Sequence, residues 1–179
     1  NSLFIYQFPL CWLDLKHYSD DQGINWFENA KKATYAHDQA ARHHEMMYPS
    51  LKPHYFGFSA SDTPDGYRVY GGLPNTMGKL DTDGTVTPHA MIGSLILTPE
   101  LSLRAMDDMD HIPDLDGPYG YYDGFKIDDK TWISKRYISI DKGLELIMLS
   151  NYLSGIIQQC FMKHPVIQKG IEVLGWKKI

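Results

Sequence analysis

The chain has 179 residues, 43% of them hydrophobic and 13% aromatic, and a formal net charge of −5. That is enough apolar material for the core of one domain, and it excludes a disordered segment. With 17 basic against 22 acidic residues and no basic stripe, it also excludes a reader of phosphate backbones.

The chain opens at Asn1, without an initiator methionine, on the run LFIYQFPLCWLDL. That run lacks the basic flank and small-residue cleavage site of a signal peptide. Gln7, Pro9 and Asp14 make it a poor membrane span. It reads as the middle of a longer protein, with the true N-terminus and any export signal upstream. Residues 2–17 are apolar on nearly every side, which predicts a buried helix that Pro9 kinks or divides.

Asn25 followed by Glu28 has capping-box spacing and predicts the start of a second helix. Trp26, Ala30, Ala33, His37, Ala40, His44 and Met47 continue it as an apolar stripe ending before Pro49, with alanines that imply close approach of a neighbouring helix. From Tyr48 to Thr87, Gly, Pro, Asp and Ser predict a long loop with a short hairpin around Gly66–Gly72, and a loop of that length is usually functional. Thr87-Pro88 and Thr98-Pro99 each place a capping threonine before a proline at the first helical position, predicting two more helices. A second long loop runs from Asp110 to about Ser139 and contains GPYGYYDGF. Asp141 then caps a helix that is apolar almost all round, LELIMLSNYLSGIIQQCFM, and is therefore expected to be buried. His164-Pro165 starts the last helix, with Gly175 as its C′ residue. The layout predicts apolar inner helices, amphipathic outer ones, and aromatic, acidic loops gathered at one end to form a site.

Cys11 and Cys160 supply neither a disulfide framework nor a zinc set. Nucleophile motifs are absent, and the eight histidines do not form a zincin motif. His37 and His44 fall on a packing stripe, Asp81-Thr82-Asp83-Gly84 reads as a turn, and Asp107–Asp116 as a solvated helix end. No cofactor or metal is expected. Carboxylates set among aromatic rings are the better signal, because sugars offer flat C–H faces to rings and hydroxyls to carboxylates. Glycoside hydrolysis needs two carboxyl groups flanking the scissile bond. Asp62 and Asp65 in SASDTPDGY have an ordinary alternative as turn residues, Asp141 has one as an N-cap, and Glu28 is explained by its capping box. Asp123 in GPYGYYDGF has the weakest ordinary explanation, because a turn does not need four aromatic neighbours.

Taken in order, FIYQFPLCWLDL, GINWFENAKKAT, SASDTPDGY, GTVTPHA, TPELSLRAM, GPYGYYDGF, ISIDKGLELIMLSNYLSGI and FMKHPVIQKGIEVLGW span essentially the whole chain. Together they resemble the bacterial glucoamylase-like domain family, which includes endo-β-1,2-glucanases and a domain of cyclic β-1,2-glucan synthases. The resemblance implies an all-α fold, an (α/α)6 toroid of which residues 1–179 are the C-terminal half. It implies inverting, metal-free hydrolysis of a glucan, in a periplasmic or secreted protein. The partners it implies are an oligo- or polysaccharide and a missing N-terminal half of the same domain, which would contribute the general acid. Carried onto this chain, it gives Asp123 and Asp141 as catalytic candidates and Tyr6, Gln7, Trp12, Asp14, Asp62, Tyr119 and Tyr122 as substrate-binding ones. Where that family commonly continues the Ile-Asp segment with Gln-Gly-Pro, this chain has Lys142, Gly143 and Leu144, and where it often has Glu-Asn-Tyr, this chain has Ser150-Asn151-Tyr152. Those departures keep two rival readings open: a non-catalytic glycan-binding protein, and a transferase or processing domain of a glucan synthase.

Overall fold

A computed structural model of the chain describes residues 1–52, 55–72 and 80–179. Residues 53–54 and 73–79 of the first long loop lie outside the described residues. Seven α-helices are present among the described residues, joined by loops that carry four short antiparallel strand pairs. The first helix, α1, spans Phe4–Trp12 and buries Gln7, Leu10 and Cys11 at helical spacing. Pro9 lies inside it without dividing it. The predicted helix over 2–17 is therefore shorter than expected, its remainder being a 3-10 turn over Leu15–His17.

Helix α2, Trp26–His44, begins as its sequence requires. Asn25 Oδ1 accepts the Glu28 backbone N–H at 2.8 Å, satisfying one of the donors a helix start leaves free. Its buried stripe is Phe27, Ala30, Ala33, Thr34, His37, Ala40 and Ala41. Trp26 and Met47, predicted on the stripe, are instead exposed, because Phe27 takes the inward position. His37 is a structural residue held against the Phe58 ring at 5.7 Å, and burial pushes its pKa down to about 4.

Helices α3, Pro88–Ile92, and α4, Pro99–Met109, start at the predicted prolines. Neither preceding threonine caps its helix through its side chain; Thr87 Oγ1 donates instead to Gly57 O. The long apolar helix divides. Gly155, at φ 67°, reverses the chain after α5, Ser139–Leu153, and α6 follows over Ile156–Met162. Expected to be buried all round, this stretch leaves Leu146, Leu153 and Ile156 exposed. Helix α7, Pro165–Val173, has no buried residue, and Gly175 ends it at φ 66° as predicted. The last strand residues, Lys177–Lys178, pair with Tyr18–Ser19 and tie the end of the chain to its start.

Helices α1, α3 and α5 run in the same direction. Leu3 and Ser2, at the start of α1, bond to Phe58 and Tyr70 carbonyls, while Gln7 Nε2 donates to Ala90 O and Ser94 Oγ beside α3. At the other end, Asn151 Nδ2 near the end of α5 donates to Cys11 O near the end of α1. Two buried clusters form the core. One centres on Phe56, Phe58, Met91, Leu95, Met109 and Phe125, the other on Leu10, Cys11, Phe27, Leu97 and Met148.

Candidate active site

The common N-terminal end of α1, α3 and α5 is where the loops converge. The first long loop folds there into a hairpin, Ala60–Thr63 against Gly66–Val69, with Asp62 opposite Tyr67. Pro64 and Asp65 form its turn, so the hairpin lies a few residues before the predicted one. The second loop is tied to the segment before α3 by a pair of backbone bonds between Val86 and Phe125, at 2.8 and 3.0 Å. Asp123 N–H donates to Arg136 O at 3.2 Å, and Ser134 N–H to Gly124 O at 2.9 Å. These bonds fix Asp123 beside the first turns of α3 and α5. Gly124 permits the arrangement, because a Cβ there would lie 2.6 Å from Asp62 O.

Three buried side chains meet in this corner: His89 from α3, Asp123 from the loop and Asp141 from α5. One ligating atom from each lies within 4.8 Å of the others. Asp141 is not the N-cap predicted from sequence. Ile138 holds that position, and Asp141 sits in the first turn with its side chain turned inward. The Tyr67 hydroxyl donates to Asp141 Oδ2 at 3.1 Å. Asp123 Oδ2 accepts the Asp62 backbone N–H at 2.7 Å, and its Oδ1 has no aligned donor among the described residues.

Burial raises both carboxyl groups above the ordinary aspartate range, and for Asp141 the charge of Asp123 adds to it, pushing it up to about 7. Two like charges this close do not both ionise readily, so the pair keeps one proton near neutrality. The Asp62 N–H favours the anion on Asp123, which leaves the proton on Asp141. His89 is pushed down to about 3, first by burial and then by the charge of Lys142, so it is neutral. Its Nε2 lies 3.7 Å from Asp141 Oδ1, a contact between neutral groups rather than an ion pair. The ligating atoms of the trio also have the span of a small cation site.

Around this corner stands the aromatic wall. Tyr122 stacks on Tyr137 with centroids 4.9 Å apart, and Tyr119 meets Tyr137 edge-on at 5.4 Å. The Tyr137 hydroxyl accepts the Tyr119 N–H and donates to Gly120 O. A Cβ on Gly117 would collide with Tyr137 and Tyr122, which explains one glycine of GPYGYYDGF. Tyr119 is left 77% exposed. Tyr121 faces the other way, into the core, its hydroxyl bonded to Asp110.

Of the residues expected at the site, the structure brings together Asp62, Tyr119, Tyr122, Asp123 and Asp141. The side chain of Asp62 is occupied as a brace, accepting from Ser134 Oγ at 2.7 Å and Arg136 Nη1 at 3.3 Å. It reaches Asp123 through its backbone. The four candidates from the first segment, Tyr6, Gln7, Trp12 and Asp14, lie apart from this corner. Gln7 is fully buried and holds α1 to α3. Tyr6 lies with Trp26 and Trp176 in an apolar hollow. Trp12 packs on Phe161 at 5.7 Å, and Asp14 pairs with His17 at 2.8 Å. These last two sit near Asn151, and about 15 Å of helix separates Asn151 from Asp141. Their residue types suit sugar binding, but helix direction sends them to the opposite end. The sequence reading missed His89, Tyr67 and Tyr137. His89 had a usable signal, a titratable side chain in the first turn of a helix that starts at a functional loop.

Residues 1–165 match the Glycoamylase family, described as putative glucoamylase. The chain is 27% identical over 172 residues to an exo-β-1,2-glucooligosaccharide sophorohydrolase of Parabacteroides distasonis, covering 95% of this chain and 23% of that protein. The crystal structure of a putative glucoamylase from Bacteroides fragilis superposes with a TM-score of 0.90 at 31% identity, over 99% of this chain and 41% of that one. An endo-β-1,2-glucanase from Chitinophaga pinensis, solved with sophorotriose and glucose, superposes with a TM-score of 0.87 at 26% identity, over 99% and 41% respectively. The chain therefore spans less than half the length of these relatives.

Proposed function

The chain belongs to the Glycoamylase family, and from that membership and its buried carboxylate pair we propose that it is part of a glycoside hydrolase acting on β-1,2-glucan. The observation that carries the reading is the proton-sharing Asp123–Asp141 pair, set beneath exposed tyrosines where three parallel helices begin. A protein that only binds glycan gains nothing from burying two carboxyl groups at raised pKa, whereas acid–base chemistry requires tuned groups. The relatives that hydrolyse β-1,2-linked glucans supply the linkage.

A carboxylate oxygen of Asp123 lies within 4.8 Å of one of Asp141, so the two are closer than the roughly 6.5–9.5 Å of an inverting pair that flanks a sugar ring. They act on one side of the bond. Asp123, the anion, takes a proton from the attacking water as its oxygen bonds to the anomeric carbon. Asp141 holds the shared proton and orients the pair. The leaving-group oxygen receives its proton from an acid on the opposite side, outside residues 1–179. This completes an (α/α)6 toroid of which the chain is the C-terminal half, with the exposed apolar residues of α1, α5 and α6 covered by the remainder. Among the described residues no helix is long and apolar enough to cross a membrane, and we place the enzyme in the periplasm or outside the cell, where polymeric glucan is met. Incubating the complete protein with linear glucans of defined linkage tests the reading. Short β-1,2-linked products are expected, released with inverted anomeric configuration, and no product from any β-1,2-glucan would overturn it.

A further inference from the structure

One turn beyond Asp141 on the same face of α5 lies Glu145, whose two carboxylate oxygens accept from Lys142 Nζ at 2.9 and 2.8 Å. Both side chains are largely buried. An exposed pair at this spacing would be an ordinary surface contact worth little. Here it edges a cavity of about 340 Å³ bounded by Tyr119, Tyr137, Leu146 and Leu149. That volume is at the small end of ligand pockets. Lys142 Nζ also stands 5.8 Å from the centroid of the Tyr137 ring. Burial raises the pKa of Glu145, Lys142 opposes the rise, and the charge of Asp123 reaches it.

We propose that this cavity is a glucosyl subsite next to the reacting bond, in which the Lys142–Glu145 pair joins the tyrosine wall. Tyr119 and Tyr137 offer the apolar face on which a sugar ring lies. Tyr119 is held in place by its N–H bond and its ring contact while its own face stays open. Glu145 accepts two sugar hydroxyls and Lys142 donates to a third oxygen, the ion pair loosening as the sugar enters. The pair thus supplies donors and acceptors in one place, as a polyhydroxylated ring needs, and Leu146 and Leu149 add apolar surface at its edge. The occupant is a neutral glucose unit of the chain being cut, because the charges of Lys142 and Glu145 already cancel. This subsite rests on the glycoside hydrolase reading and adds a specificity determinant to it.

The test uses the complete protein with linear β-1,2-glucan oligosaccharides and the variants Glu145→Gln, Lys142→Met and Tyr119→Ala. Loss of a hydrogen bond to a charged group predicts a rise in KM of roughly ten- to a hundredfold for Glu145→Gln and Lys142→Met, with kcat changed much less. Tyr119→Ala, an exposed position that folding does not depend on, should raise KM in the same direction. If the wild type hydrolyses the glucan and all three variants keep its KM, the subsite is overturned and the hydrolase reading stands. A lower Tm without a change in KM gives the Lys142–Glu145 pair a purely structural role and overturns the proposal too. If the wild type neither hydrolyses nor binds the glucan, both readings fall together.

Discussion

Replacing Asp123 by Asn isolates the charge at the centre of the site. The amide keeps an oxygen for the Asp62 N–H, which wild-type Asp123 accepts at 2.7 Å, so the loop stays in place. Two consequences follow. The water loses its base, and removal of a positioned general base costs about 10²–10⁴-fold in turnover. Asp141 also loses its charged neighbour. Like charges 4 Å apart at an effective dielectric near 20 repel by about 4 kcal/mol, about three pKa units. Burial is the larger cause of the Asp141 shift, so the part owed to Asp123 is the smaller one. Asp141, pushed up to about 7 in the wild type, should therefore titrate lower in the variant while staying above the ordinary aspartate range. Turnover of β-1,2-glucan, followed by reducing ends released, reads the first effect. Carbon NMR of the Asp141 carboxyl across pH 4–9 reads the second. Turnover within tenfold of wild type would remove Asp123 as base, and an unmoved Asp141 titration would refute the coupling itself.

Asp141→Asn should abolish turnover yet stabilise the complete protein above neutrality. The folded pKa of Asp141 is raised above its unfolded value, so its contribution to stability is full below pH 4 and is lost as pH rises through about 7. At pH 8 the variant escapes that loss, on the order of 2 kcal/mol, and melting curves should show Tm several degrees above wild type. The advantage should vanish by pH 4; an advantage equal at both pH values would contradict the linkage. Gly124→Ala forces a methyl group against Asp62 O, where a Cβ would come to 2.6 Å, and should cost about 1–3 kcal/mol in denaturant unfolding with a drop in kcat as Asp123 is displaced. Unchanged stability would show that the two loop segments have room to part.

The elements legible in the sequence were those governed by local chemistry. Asn25 caps α2 with the expected geometry, prolines 88, 99 and 165 open their helices, and Gly175 closes the last one. Asp123 was legible as a candidate because its aromatic setting had no ordinary explanation, and the structure buries it beside Asp141 and His89. What was not legible depended on direction and inward rotation. Trp12 ends the short helix whose other end faces the site, with Asp14 just beyond it, but only the parallel course of α1 and α5 shows that they lie at the far end. Asp141 was read as a cap because its spacing allowed one; Ile138 takes the cap and frees the carboxylate to turn inward. His89 carried no periodic signal at all, and its importance arises from the Val86–Phe125 bridge that sets the loop against α3.

The proposed inverting reaction asks more of the geometry than Asp123 and Asp141 supply. A carboxylate pair that shares a proton can deliver only one kind of proton chemistry at a time, since both members face the same space. Hydrolysis needs a second, opposed group of complementary protonation. Helix α5 turns Asp141 and Glu145 toward the site and its pocket, while Leu153 on α5 and Ile156 on α6 stand exposed. Apolar side chains left open along such a layer favour a covering set of helices, since each buried one stabilises by roughly 1.5–3 kcal/mol. The exposed apolar surface and the carboxylates of the proposed site thus share helix α5, so one covering layer of helices could both bury the first and oppose an acid to the second.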